Sequence, residues 1–258
     1  ACGASLMQRL LRLRSLLVLS LLVFVLTLLS NLPASLVWRQ VAPSLPAEVE
    51  LQGISGSLWQ GNVANMRVDG IDQGALRWDW LPVAMLKGQL ALDLDWRPRN
   101  GQVYATLRLG LDTLVLEQVN GRLDARSMAA VNKAPFILTG DWLLDIPELR
   151  LEEFERVAQA QGRIVWQQAG GGLPEPLALG HLAADLSSEN DWLMMTLSSD
   201  LDGPLALDGT AKWRPAQAMQ LDTRLKARQQ ADPGLIQGLT MLGRPDADGW
   251  VHWRARLQ

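Results

Sequence analysis

The sequence predicts a mainly β protein: a single N-terminal transmembrane helix, then a domain built on a curved antiparallel β-sheet with a few short helices. Residues 16–37 carry no charge. In the rest of the chain, short stretches of alternating apolar and polar residues are separated by turn-forming pairs such as Asn-Gly and Asp-Gly. These observations divide the chain into a short N-terminal segment at 1–15, the helix at 16–37, a Pro-rich neck at 38–47 and a β domain at 48–258.

The uncharged segment has the length of a membrane-spanning helix. About 20 residues, at about 1.5 Å each, match the roughly 30 Å hydrocarbon core of a bilayer. Arg9, Arg12 and Arg14 precede the segment, and short positively charged flanks stay in the cytoplasm. We therefore expect a cytoplasmic N-terminus and a β domain on the opposite side. A cleaved signal peptide is the alternative, but its apolar core is usually shorter and the small-residue cleavage pattern here is poor.

Strict alternation predicts strands with one apolar and one solvated face. In Gln89–Trp96, three leucines and a tryptophan face one way, while Ala91, Asp93 and Asp95 face the other. We expect an antiparallel sheet with one covered face. The other predicted strands are Val49–Leu51, Ser57–Trp59, Val63–Val68, Ala75–Trp80, Val103–Leu111, Leu114–Leu123, Phe136–Leu151, Gln161–Gln167, Leu182–Ser187, Trp192–Ser198, Leu205–Trp213, Met219–Arg228 and Trp250–Leu257. 

Helical pattern is scarce outside the N-terminal segment. Pro82–Lys87, Ala125–Asn132 and Asp232–Leu242 are the candidates. The third has an aspartate at the N-cap, proline in the first helical position and Gly243 as a stop signal. Its apolar residues share one face, which we expect to pack on the sheet. These residues are Leu235, Ile236, Leu239 and Leu242.

Composition and motifs argue against catalysis. The chain has 24 Lys and Arg against 27 Asp and Glu, with no basic patch for nucleic acid. Its two histidines, His181 and His252, are far apart, and Cys2 is its only cysteine, so a zinc-type ligand set is excluded. The stretch Gly53–Ser57 resembles a nucleophile elbow but lacks the final glycine. The sequence therefore predicts no catalytic residues, no metal and no cofactor.

Tryptophan is the unusual feature of the composition, with 11 residues against one tyrosine and three phenylalanines. Large rings on strands fill the space between a sheet and its cover. The alternative is that some line an apolar groove or dock a partner's strand. Alternation places Leu58 and Trp59 on opposite faces without deciding which is exposed. The candidate docking or groove-lining residues are Leu58, Trp59, Trp78, Trp80, Trp96 and Trp213.

Several blocks, in their order behind one apolar segment, resemble the family of type II secretion system N proteins. They are Leu32–Leu36, Leu51–Gly61, Gly74–Trp78 with Pro82 downstream, and the stretch from Ala231 to Gly249. The resemblance implies a single-pass subunit of the bacterial inner membrane with a periplasmic domain. Such a subunit is accessory to the machine that exports folded proteins across the outer membrane. The resemblance also implies that the protein has no catalytic residues and that its partners are inner-membrane platform subunits.

A curved sheet of this kind also resembles the β-groove modules of periplasmic lipid-transfer proteins. The alternative function is therefore a lipid-binding or lipid-transfer protein anchored in the inner membrane. A carrier needs an open apolar trough along many strands, since each buried methylene contributes about 0.8 kcal/mol. A scaffold needs only a local patch or a free sheet edge, where a partner strand can add. The alternation of apolar and polar residues is compatible with both a carrier and a scaffold.

Overall fold

The fold is one open sheet in which 13 antiparallel strands follow one another in chain order. The computed structural model describes residues 20–21, 23–24, 27, 31–41, 49–98, 100–130, 137–173 and 175–257. The mainly β prediction is confirmed. The strands are β1 (Val49–Gly56), β2 (Gln60–Val68), β3 (Ile71–Trp80), β4 (Leu90–Arg97), β5 (Gly101–Leu109), β6 (Thr113–Asp124), β7 (Ile137–Glu152), β8 (Arg156–Gly172), β9 (Leu177–Glu189), β10 (Trp192–Ser199), β11 (Leu205–Trp213), β12 (Met219–Ala227) and β13 (Val251–Leu257).

The predicted strand Ser57–Trp59 is wrong, because these residues form the turn between β1 and β2. The Ser57 hydroxyl accepts hydrogen bonds from the backbone N–H groups of Trp59 (3.3 Å) and Gln60 (3.1 Å). Serine side chains commonly stabilise turns in this way. The triplet Gly170–Gly172, whose composition is typical of a loop, instead ends β8 and pairs with β7 and β9. Glycine-rich sequence gives no alternation signal, so the extension could not be read.

Short helices follow the predicted positions. A 3-10 turn covers Pro82–Lys87, and a second covers Ala125–Ala130; residues 131–132 of the second prediction lie outside the described residues. Helix α1 (Ala34–Val41) was not predicted as a separate element. Helix α2 (Pro233–Leu242) follows its N-cap Asp232, whose carboxylate accepts a 2.7 Å hydrogen bond from the backbone N–H of Gly234. This cap is the one that the sequence predicted.

Only part of the predicted apolar face of α2 packs on the sheet. Leu235 and Leu239 are buried against Leu205, Leu225 and Val251. The other two predicted contact residues are exposed, at 49% for Ile236 and 44% for Leu242. A ten-residue helix lying on a sheet presents one narrow stripe at i and i+4 spacing, and the flanking positions face solvent.

The segment before the sheet is attached to the first hairpin. Residues 31–33 are not helical, and the carbonyl of Leu32 accepts a 2.8 Å hydrogen bond from the N–H of Leu58. Residues 38–41 of the predicted neck belong to α1, and 42–48 lie outside the described residues. Among the described residues, no helix combines the length and apolarity needed to cross a bilayer. Ten of the 22 residues of the span 16–37 lie outside them, so the transmembrane helix stays a prediction.

Bulges interrupt the ladder at several places along the sheet. The register shifts between β2 and β3, β5 and β6, β7 and β8, and β8 and β9. Each bulge bends its strand and increases the local twist. Pro147, which cannot donate a ladder hydrogen bond, lies where the pairing of β7 jumps from Asp145 to Glu148. Gly74 has φ of 73°, and a Cβ there would collide with the carbonyl oxygen of Arg97.

Candidate functional site

One face of the sheet carries an unbroken row of uncharged residues, one from each strand. We call this set the apolar row. Each member is directly paired with the next across the ladder, and none of them is fully exposed. The row is Ile54, Val63, Leu76, Trp96, Val103, Gly121, Leu144, Ile164, Ala184, Leu197, Gly209, Thr223 and Trp253.

The opposite face carries an equally long row of polar residues, which we call the polar row. It is also continuous across the ladder, and it contains the ion pairs Arg163–Asp185 (3.5 Å) and Arg254–Asp222 (2.9 Å). Charges of both signs are mixed along it, so this face is well solvated. The row is Ser55, Asn62, Arg77, Asp95, Tyr104, Asn120, Asp145, Arg163, Asp185, Thr196, Thr210, Asp222 and Arg254.

Two carboxylates, one on β4 and one in the loop before β13, are held in their charged form. The Arg97 guanidinium, 2.6 Å from Asp95, lowers the pKa of Asp95, and Gln102 donates a further hydrogen bond of 2.9 Å. Asp246, just before β13, accepts hydrogen bonds from the backbone N–H of Trp250 (2.8 Å) and Asp248 (3.0 Å), which lower its pKa. Hydrogen bonds to a carboxylate favour its ionised form. Neither group has the raised pKa that a general acid requires.

The apolar face has little cover in the part of the chain that the structure describes. All 13 described strands lie in one sheet, so no second described sheet packs on it. Helix α2 covers the corner formed with β9, β12 and β13, and the turn Ala125–Ala130 contacts β3, β6 and β7. With strands about 4.8 Å apart, the face extends about 58 Å across the sheet. Described helices and turns therefore cover the face only in these two places, yet every member of the apolar row is buried or half-buried.

Four of the predicted docking residues lie together at the first hairpin. The rings of Trp59 and Trp80 are 4.3 Å apart, and the indole N–H of Trp78 donates a 2.9 Å hydrogen bond to the carbonyl of Leu58. The Trp78 ring lies where a Cβ of Gly61 would be, so the glycine makes room for it. Leu58 and Trp59 are both half-buried, and the expectation that they point to opposite faces of a strand is wrong because they are in a turn.

The remaining two candidates are not part of this cluster. Trp96 lies on β4 in the apolar row, and its indole N–H donates to the carbonyl of Gln73 at 2.6 Å. Trp213 lies on β11, opposite Leu193, eight strands from β3. The six residues therefore do not form one site, and their docking role stays a prediction.

Two features could not be found in the sequence by motif. Trp142 and Trp166, stacked at 4.8 Å with an angle of 12° between their rings, are paired across β7 and β8. The other feature is the edge strand β13, which pairs with β12 and with no other described strand. Alternation predicts all three strands, but the order of strands, which decides which strand is at the edge, has no local signal.

These observations define an all-β protein with a single open sheet, one apolar face and one polar face. Residues 47–254 match the family described as "Type II secretion system (T2SS), protein N". The chain belongs to this family, which confirms the resemblance read from the sequence.

Relatives carrying the same name cover most of this chain. Type II secretion system protein N of Vibrio cholerae serotype O1 is 26% identical over 212 residues, which is 80% of this chain and 83% of the relative. The protein of that name in Aeromonas hydrophila is 26% identical over 241 residues, covering 86% and 89%. The Klebsiella pneumoniae protein is 25% identical over 235 residues, covering 90% of each chain. No solved structure matches this chain.

Proposed function

We propose that the protein is a non-enzymatic accessory subunit of the type II secretion system that supports export of folded proteins across the outer membrane. The observation that carries the proposal is the family match over residues 47–254. The relatives are named as protein N of that system. The polar row supports a binding rather than a catalytic role, since its charged side chains are of both signs and lie on a solvated face.

The proposal places the N-terminus in the cytoplasm and the sheet in the periplasm, with residues 16–37 as a single inner-membrane helix. Three arginines on the N-terminal flank support this orientation. The hydrogen bond between Leu32 and Leu58 supports an arrangement in which the β1 end of the sheet lies next to the bilayer. Platform subunits of the inner membrane are then the nearest partners.

Loss of the protein tests the secretion role. A deletion strain of the host should accumulate type II secretion substrates in the periplasm, and the full-length chain should restore their export. In the complemented strain, cross-linking should recover platform subunits with the full-length chain. Normal export in the deletion strain, together with no cross-linked platform subunit, would contradict the proposal. A reporter active only after export, fused after Gln258, tests the orientation separately.

Lipid binding is the second candidate function, and the apolar row is the observation that favours it. The row continues across all 13 strands, as a groove for acyl chains requires. A hydrocarbon chain lying across the strands needs no hydrogen bonds, whereas a peptide lying there would leave its backbone groups unpaired. The face therefore suits an acyl chain better than an extended peptide.

Lipid analysis separates the two candidates. The full-length protein with Leu144→Asp should lose stoichiometric phospholipid after purification if the row holds acyl chains, because the charge interrupts the row. Asp145→Asn, on the adjacent residue of the polar row, is the matched control. Circular dichroism checks that both variants fold. Wild-type protein without bound lipid would exclude the carrier function and leave the secretion role untouched.

A further inference from the structure

The edge strand β13 has one side without a described partner. It pairs with β12 from Val251 to Leu257, and no other described strand lies beside it. An edge strand presents a row of backbone N–H and C=O groups that can pair with another chain. Helix α2 packs on Val251 at the start of the strand, and Arg254, Arg256 and Leu257 remain exposed.

The side chains of β13 divide by face and by charge. Trp253, which belongs to the apolar row, is followed by Ala255 and Leu257 on the same face. The polar face carries Arg254 and Arg256, with His252 preceding them. Any strand that pairs with β13 must therefore place apolar residues on one face and residues compatible with cations on the other.

Cations dominate the polar surface beside this edge. A shallow depression of about 590 Å³ there is lined in part by Lys212, Asp222, Arg254 and Arg256. Asp222 pairs with Arg254 at 2.9 Å, and the Arg254 side chain is still 81% exposed. Arg256 has no acidic partner among the described residues. The surface therefore has positive charge that an incoming carboxylate could neutralise.

We propose that β13 is the docking site for an extended segment of a partner protein that adds to the sheet as a further strand. The chemistry of the edge specifies a segment in which apolar and acidic residues alternate. Its backbone would continue the hydrogen-bond ladder, its apolar residues would extend the apolar row beyond Trp253, and its carboxylates would face Arg254 and Arg256. The inference follows from the edge strand alone and does not depend on the secretion role.

A second copy of the chain paired through the same edge does not fit this chemistry. Antiparallel pairing of two β13 strands would place Arg254 and Arg256 against the cations of the second copy. Like charges directly opposite one another destabilise a strand pair. An acidic heterologous strand removes this repulsion.

Peptide binding to the full-length chain in detergent tests the proposal. The probe is a fluorescent peptide of about eight residues in which valine and glutamate alternate, and the control probe has lysine in place of glutamate. We expect the glutamate peptide to bind, the lysine peptide to bind at least about tenfold more weakly, and salt to reduce the difference. Hydrogen exchange should show new protection of β13 amides.

A charge-reversal variant separates docking at β13 from non-specific electrostatic attraction between the peptide and the rest of the protein surface. Arg256→Glu should lower affinity for the glutamate peptide about tenfold and raise affinity for the lysine peptide. Arg67→Glu, which reverses an exposed arginine on β2, is the matched control and should change neither affinity. Equal effects of the two variants would overturn the proposal. It would also be overturned by absent β13 protection, or by self-association of the wild-type chain through β13 while no peptide binds.

Discussion

The apolar and polar rows run side by side through the same 13 strands and differ by one residue position. Leu144 and Asp145 are neighbours in β7, yet the first belongs to the apolar row and the second to the polar row. Because successive side chains of a strand point to opposite faces, this one-residue offset decides whether a side chain lies on the apolar or on the polar face. Paired residues of neighbouring strands lie on the same face. A shift of one residue in the pairing of any strand would therefore place its polar residues on the apolar face.

The two rows contribute to stability in different ways. Members of the apolar row are stabilised by packing against their neighbours, at about 25 cal/mol per Å² of apolar area removed from water. Members of the polar row make ion pairs that remain partly exposed, such as Arg163–Asp185, with 57% and 52% of the two side chains accessible. Exposed pairs of this kind contribute about 0.2–1 kcal/mol. Substitutions should therefore cost far more on the apolar row.

The largest contrast is expected between Val63 and Asn62, adjacent residues of β2. Val63 is 1% exposed, so Val63→Asp would bury an unpaired carboxylate and should lower the free energy of unfolding by more than about 3 kcal/mol. Asn62→Asp keeps an oxygen that can accept the Ser55 hydroxyl hydrogen bond and should stay within about 0.5 kcal/mol. Urea denaturation measures both. Equal losses would mean that the two rows do not face different environments.

A smaller difference in stability is expected between the buried and the exposed apolar residues of α2. Leu239→Ala removes a side chain packed in the cluster with Leu225 and Val251 and should cost about 2–4 kcal/mol. Ile236→Ala, on the exposed flank of the same helix, should cost less than about 1 kcal/mol. Thermal unfolding of the two variants checks the difference. If Ile236→Ala cost as much, the whole apolar side of α2 would be packed, as the sequence alone predicted.

Acid should lower the stability of the fold through the carboxylates of the polar row, since the apolar row has no group that titrates. The pKa of Asp95 is lowered in the folded protein by Arg97, so its carboxylate stabilises the fold at neutral pH. That contribution is fully present above the ordinary aspartate pKa of 3.8 and is lost as the pH falls through the lower folded value. Asp95→Asn should therefore show a smaller drop in melting temperature between pH 6 and about 3 than the wild type. An equal drop in melting temperature for the variant and the wild type would show that Asp95 does not contribute to the acid sensitivity.

The smallest effect is expected for an exposed pair of the polar row. A double-mutant cycle on Arg163 and Asp185 should give a coupling free energy of about 0–1 kcal/mol that falls with added salt. The cycle uses the two single alanine variants and the double variant, compared by urea denaturation. A coupling well above this range would show that the polar row contributes to stability as much as the packed face does.

Much of this contrast could be predicted from the sequence, because alternation is a local signal. The strand Gln89–Trp96 was predicted within one residue of β4, and the Asp232 cap of α2 was predicted from its side chain. One detail of β4 was wrong: Ala91, expected on the wet face, is fully buried, since the turn Pro82–Lys87 packs there. Covering by a neighbouring element depends on chain path, which alternation does not encode.

The candidate site was less predictable than the fold. Tryptophan content indicated Trp78 and Trp80, but it could not reveal that the Ser57 turn groups them with Trp59 and leaves Trp213 far along the sheet. Strand order, which makes β13 an edge, emerges only when all 13 strands are assembled. Long-range pairing is set by the whole ladder, so single residues carry no signal for it.

Spin labels at positions 144 and 145 test the contrast between the two faces most directly. Because Cys2 is the only cysteine, Cys2→Ser gives a background in which Leu144→Cys or Asp145→Cys can be labelled in the full-length chain. The label at 144 should collide preferentially with dissolved oxygen, which partitions into apolar surroundings, and the label at 145 with a water-soluble nickel chelate. Equal or reversed accessibility at these adjacent positions would contradict a single sheet with one apolar and one polar face.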